Sequence, residues 1–122
     1  TDFGLEAVYS KRHCVEGTQG AQIVEGISVE EGDYFVIKKR FSSFFDTDLS
    51  ILLQGLGVDE IILAGVATDG CVRATAVDAH QYGLHYKLLK GCTAGAIRSS
   101  HEDSLLFLQR VQKNSLMDPD QI

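Results

Sequence analysis

The sequence predicts an α/β fold, a parallel sheet in three layers with helices on both faces. Three observations lead there. Short apolar runs lack polar alternation, longer segments carry apolar residues at helical spacing, and the two kinds alternate from Asp33 to Val111. Strands joined through helices run parallel, and the crossovers between them are right-handed.

Tyr34-Phe35-Val36-Ile37 reads as a first strand. Leu49, Leu52, Leu53 and Leu56 follow at i, i+3, i+4 and i+7, the signature of a helix. Asp46, Thr47 or Asp48 can cap its start by accepting from orphan backbone NH groups, and Gly57 can end it in the left-handed conformation. Ile61-Ile62-Leu63-Ala64 has no polar alternation, as expected of a central strand buried on both faces. From Val72, the residues Ala76, Ala79 and Gly83 line one helical face that Ala74 and Val77 widen, with Gly83 as the stop. Leu84, Tyr86 and Leu88 alternate with His85 and Lys87 as a more exposed strand. Ser99 or Ser100 then caps a last helix carrying Leu105, Leu108 and Val111.

Composition narrows the class of protein. A chain of 122 residues is long enough for one hydrophobic core, so a single domain over 1–122 is expected. Its 44% hydrophobic and 23% charged residues are ordinary globular values, and no repeat or low-complexity block interrupts them. The net charge of -6 argues against nucleic acid as a partner, because Lys38-Lys39-Arg40 and Lys11-Arg12 are too short to track phosphates. With no apolar run long enough to span a bilayer and no signal-peptide pattern, the expectation is a cytoplasmic protein without a membrane partner. The chain opens on Thr1, and reads as a piece of something longer.

Three cysteines, Cys14, Cys71 and Cys92, cannot all pair within one chain, and none has CxxC spacing. Cys71 stands apart. It falls where the strand Ile61–Ala64 gives way to a helix, at the carboxyl end of a strand, where α/β sheets bind ligands. A helix start offers unpaired NH groups and partial positive charge, which stabilise a thiolate, the reactive form of cysteine. A cation must supply much of the rest, and Lys38-Lys39-Arg40 ends a strand at the same edge. From position alone, Cys71 fits a small buried apolar residue as well as a nucleophile. Gly65 and Gly70 allow either a tight turn or a close backbone approach to a ligand.

Three segments carry a resemblance. Gly65 to Ala79, GVATDGCVRATAVDA, resembles the nucleophile motif of the isochorismatase-like cysteine hydrolases, the superfamily of nicotinamidases, N-carbamoylsarcosine amidases and isochorismatases. HCVEGTQGA from His13 to Ala21 is similar to the family's HCVxGTxGA segment, and KKRFSSFFDTDL from Lys38 to Leu49 to its KxRxSxFxxTxL segment. The resemblance implies the isochorismatase-like fold with its N-terminal strands missing, the chain making up the C-terminal two-thirds of a domain.

It also implies roles. Cys71 would be the nucleophile and Lys38 the cation beside it, with Lys39 solvated. Val66-Ala67 would be a cis peptide, and the NH groups of Ala67 and Cys71 an oxyanion hole. His13 matches a metal-ligand histidine of the nicotinamidases, which would make a divalent ion such as zinc the cofactor. Yet Asp2-Phe3-Gly4 lacks the histidine of an Asp-x-His pair, and Ser10-Lys11-Arg12 stands where nicotinamidases have Trp-Pro. The family's third catalytic residue, the aspartate of a DxQxxF segment, has no room ahead of His13.

The implied function is a cysteine hydrolase that cleaves the C–N bond of a small amide or carbamoyl compound through an acyl intermediate on Cys71, working as a homo-oligomer. Loss of the aspartate suggests the alternative, a catalytically inactive relative serving as a small-molecule binding or assembly module. Vinyl ether hydrolysis of the isochorismatase type is disfavoured, because the cysteine is generally replaced there.

Overall fold

A computed structural model describes residues 13–122. The chain divides into two compact units, one ending at Phe35 and the other running from Val36 to Ile122. Within the first, the described residues form a succession of turns and one short 3₁₀ helix, Gln19–Ala21. Local hydrogen bonds hold these turns: the Thr18 hydroxyl donates to the Val15 carbonyl at 2.6 Å, and the Glu30 NH donates to the Asp33 carboxylate at 2.8 Å.

The second unit holds the sheet. Its elements are α1 (Leu49–Gly55), β1 (Glu60–Val66), α2 (Arg73–Gln81), β2 (His85–Ala94), α3 (Arg98–Val111) and β3 (Leu116–Met117). Both pairings are parallel and the spatial order is β1-β2-β3. Each crossover moves the chain one strand further in the same direction, so two crossovers of one hand place α2 and α3 on the same face. Ile61 pairs with Tyr86 and Leu63 with Leu88, and partners in parallel register point the same way. That face carries the core: Tyr86, Leu88, Ala76, Ala79, Val72, Phe44 and Leu108 are buried, with Ile61, Leu63, Leu49 and Leu53 packed against them.

Several expectations from the sequence need correction. Residues 34–37 form no strand, and Tyr34, Phe35 and Ile37 are exposed, because an apolar run becomes a strand only where a neighbour takes its NH and carbonyl groups. The strand at Ile61 is not buried on both faces: among the described residues β1 is an edge strand, and Ile62 is 44% exposed. Conversely, β2 is central and longer than its alternation suggests. It reaches Ala94 through a bulge, with Gly91 at φ 71°, while Leu63 and Gly65 of β1 align with Leu88 and Thr93. β3 is too short for any periodicity to reveal.

Helix ends differ more subtly. α1 stops as expected, the NH of Gly57 (φ 69°) donating to the Gln54 carbonyl and that of Val58 to the Leu53 carbonyl. Asp48 is its N-cap residue without a side-chain cap bond, while Thr47 accepts from the Leu49 NH at 3.3 Å. α2 ends at Gln81, with Gly83 (φ 78°) just past it and the Leu84 NH returning to the Ala79 carbonyl. α3 begins at Arg98 after Ile97, so Ser99 and Ser100 lie inside its first turn instead of capping it.

Candidate active site

The end of β1 builds the centre of the site. Gly65 takes a φ of 113°, open to glycine and strained for any other residue. The Val66-Ala67 peptide that follows is cis. The chain then makes a π-helical turn, Thr68–Val72, before running into α2. The Ala67 carbonyl accepts from both the Gly70 and Val72 NH groups at 3.1 Å, which closes the turn around Cys71. Thr68 and Val72 are buried, and Cys71 between them is half-buried.

Lys38 reaches this turn from 33 residues away: its ammonium donates to Cys71 Sγ at 3.3 Å. A second donor of the same group goes to the Arg40 carbonyl at 2.9 Å, which fixes where the ammonium sits. Lys39 is exposed, and its carbonyl accepts from the Arg40 guanidinium. The loop carrying Lys38 docks on α2. The Ser43 NH donates to Thr75 Oγ1 at 3.0 Å, and the Thr75 hydroxyl donates to Ser43 Oγ at 3.3 Å. Thr75 lies one helical turn beyond Cys71, so this contact sets the loop's height along the helix. Phe44 is buried and stacks at 5.1 Å from Tyr82, and the Thr47 hydroxyl donates to the Ser43 carbonyl.

Sequence reasoning missed a second support. The ring of His101 on α3 shares a hydrogen bond with the hydroxyl of fully buried Thr68 (Nδ1 to Oγ1, 2.7 Å). Further along α3, buried Ser104 accepts from the Arg73 guanidinium at 3.4 Å, and the same guanidinium lies 4.1 Å from the Phe107 ring centroid. The signal was there: His101 and Ser104 are polar residues on the stripe that also carries Leu105 and Leu108.

Other candidates fall elsewhere. His13 is exposed and belongs to the first unit. Among the described residues, no three His, Cys, Asp or Glu side chains gather closely enough to hold a metal ion. The described residues therefore show no zinc site at His13. Cys14 and Cys92 are exposed free thiols. An open cleft of about 290 Å³, lined by Phe44, Phe45, Asp46, Asp78, Gln81 and Tyr82, lies towards the C-terminal end of α2 and does not include Cys71. No helix among the described residues is long and apolar enough to cross a membrane.

Comparison with known proteins shows the family and the fold. Residues 4–115 match the family described as the isochorismatase domain. The chain belongs to the isochorismatase family. Among relatives in this family, a maleamate amidohydrolase of Pseudomonas putida is 38% identical over 77% of this chain and 44% of its own length. A protein of Arabidopsis thaliana named a probable inactive nicotinamidase is 38% identical over 80% of this chain and 50% of its own. Pyrazinamidase of Pyrococcus horikoshii, solved in complex with zinc, superposes with a TM-score of 0.77 at 33% identity, covering 88% of this chain and 60% of that one. The isochorismatase-like fold, a parallel sheet with helices, is therefore the fold of this chain, which spans about half the length of the curated relatives it matches.

Proposed function

We propose that this chain carries the nucleophile of a cysteine amidase that cleaves the C–N bond of a small amide or carbamoyl compound. The observation that carries the reading is the 3.3 Å contact between Lys38 Nζ and Cys71 Sγ. An ammonium at this distance from a half-buried sulfur is placed to attract the negative charge of an attacking thiolate. The thiolate adds to the carbonyl carbon, and the NH groups of Ala67 and Cys71 hold the oxygen that becomes anionic. As the tetrahedral adduct collapses, the C–N bond breaks and the departing nitrogen takes a proton. Water then attacks the thioester, releasing the acid and restoring Cys71. Lys38 is poorly suited to supply the proton, since losing it removes the charge that holds the thiolate. The resemblance assigns that step to an upstream aspartate.

Amide chemistry draws support from the relatives named for it, the maleamate amidohydrolase and the pyrazinamidase. Kinship to a protein named probable inactive favours the second reading, a binding or assembly module. Ammonia release separates the two. Maleamate, pyrazinamide, nicotinamide and an N-carbamoyl amide are offered to the chain joined to an upstream segment bearing DxQxxF, with Cys71→Ser as control. Turnover of any of them that Cys71→Ser abolishes, with a mass increase on Cys71 in quenched samples, supports the amidase. Tight binding without turnover supports the module.

A further inference from the structure

We propose that His101 is a positioning residue for the nucleophile, acting through Thr68 to hold the turn that presents Cys71. This rests on the reading of Cys71 as the nucleophile. Thr68 opens the π-helical turn, and its carbonyl accepts from the Arg73 NH that closes it, so the place of Thr68 fixes the backbone on which Cys71 rides. Its side chain is fully buried, and a buried hydroxyl without a partner costs stability. Among the described residues the partner is His101 Nδ1, at 2.7 Å. In the neutral ring with the proton on Nε2, the hydroxyl donates to Nδ1.

The contact is one end of a longer grip. His101, Ser104 and Phe107 recur every three residues on α3 and so share one strip of its surface. His101 holds the turn at Thr68, ahead of Cys71, while Ser104 and Phe107 hold the Arg73 guanidinium behind it. A turn held on both sides of the nucleophile by one rigid helix keeps Sγ at its distance from Lys38. Loss of the forward hold lets the turn move without dismantling the sheet, because the buried core residues Leu88, Tyr86 and Leu108 are not part of this contact.

The test compares the unmodified chain with His101→Leu, Thr68→Val and His101→Asn. Iodoacetamide alkylation of Cys71 is followed by peptide mass, amide hydrogen exchange is read over residues 68–73, and each variant's melting temperature is recorded. His101→Leu and Thr68→Val should each slow alkylation about tenfold and speed exchange in the turn, with β2 still protected. Combined, they should cost little more than either alone, since both remove the same bond. His101→Asn, which keeps a polar atom near the Nδ1 position, should recover most of the rate. Should His101→Leu fail to fold, Thr68→Val carries the test. Alkylation and exchange within twofold of the unmodified chain in Thr68→Val, or no recovery in His101→Asn, overturns the proposal. Equal alkylation of Cys71, Cys14 and Cys92 in the unmodified chain sinks the nucleophile reading instead, and exchange over the turn still decides whether His101 holds it.

Discussion

Lys38 Nζ lies 3.3 Å from Cys71 Sγ and 2.9 Å from the Arg40 carbonyl, so one ammonium is anchored to its own loop and aimed at the cysteine. Replacing it tests the pairing directly. Lys38→Met, which keeps the stem and removes the charge, should slow iodoacetamide alkylation of Cys71 at pH 6.5 by about tenfold and leave Cys14 and Cys92 unchanged. The contrast should shrink in high salt, which screens an exposed ammonium. A rate that does not change in Lys38→Met would mean the contact has no influence on the thiol.

Amidase turnover should depend on a proton donor. Among the described residues, Cys71 hydrogen-bonds to Lys38 and to no carboxylate. A positioned general acid contributes a factor of about 100 to 10,000. Residues 1–122 alone should therefore release ammonia from amides at least about 100-fold more slowly than the same residues joined to an upstream DxQxxF segment, while activated esters, whose leaving groups need no proton, react at comparable rates. Equal amide rates would locate the acid within this chain.

Stability should fall in alkali through Tyr86. Burial raises the pKa of its phenol above the ordinary value of 10.0, with a hydrogen bond from the Gln112 backbone opposing in part. Above that value the unfolded chain loses the proton that the folded chain retains, so the tyrosine's contribution is complete below pH 10 and lost as pH rises through the folded value. Tyr86→Phe should flatten this alkaline loss in urea titrations run from pH 8 to pH 11. At neutral pH it should cost about 1 kcal/mol, since the Leu108 carbonyl that accepts from Tyr86 also accepts from the Gln112 NH.

Core and surface should respond very differently. Leu88 is 0% exposed at the centre of the sheet, so Leu88→Ala should cost about 2–5 kcal/mol in denaturant unfolding. Lys90, on the same strand, pairs with Asp118 at 3.0 Å in solvent, and Lys90→Ala should cost less than about 1 kcal/mol. Similar losses from both would mean that β2 does not carry the core.

Self-association should be measurable by sedimentation at micromolar concentration. Among the described residues β1 leaves one edge unpaired, and Ile62, Val66, Ile37 and Ile51 are exposed apolar side chains. A stable monomer would contradict this.

The sequence by itself determined the alternation of elements, because apolar period and glycine placement are local properties that survive in any context. Ile61 to Ala64, the leucines of α1, the stop at Gly83 and the cysteine at a strand end could all be read that way. It also pointed to Lys38, through the resemblance of KKRFSSFFDTDL to a family segment that a lysine leads. Only the tertiary structure decided which apolar runs became strands. Residues 34–37 have the composition of one and find no partner strand among the described residues, while Leu116-Met117 has too few residues to show a period and gains a partner in β2. Burial was decided the same way, β1 being an edge strand and β2 the centre among the described residues. The supports of the candidate site were hardest to see. Ser43 meets Thr75, His101 meets Thr68 and Ser104 meets Arg73 across 31 to 33 residues of chain. No local pattern records such meetings, because a hydrogen bond between distant side chains exists only after the crossovers have brought their elements together.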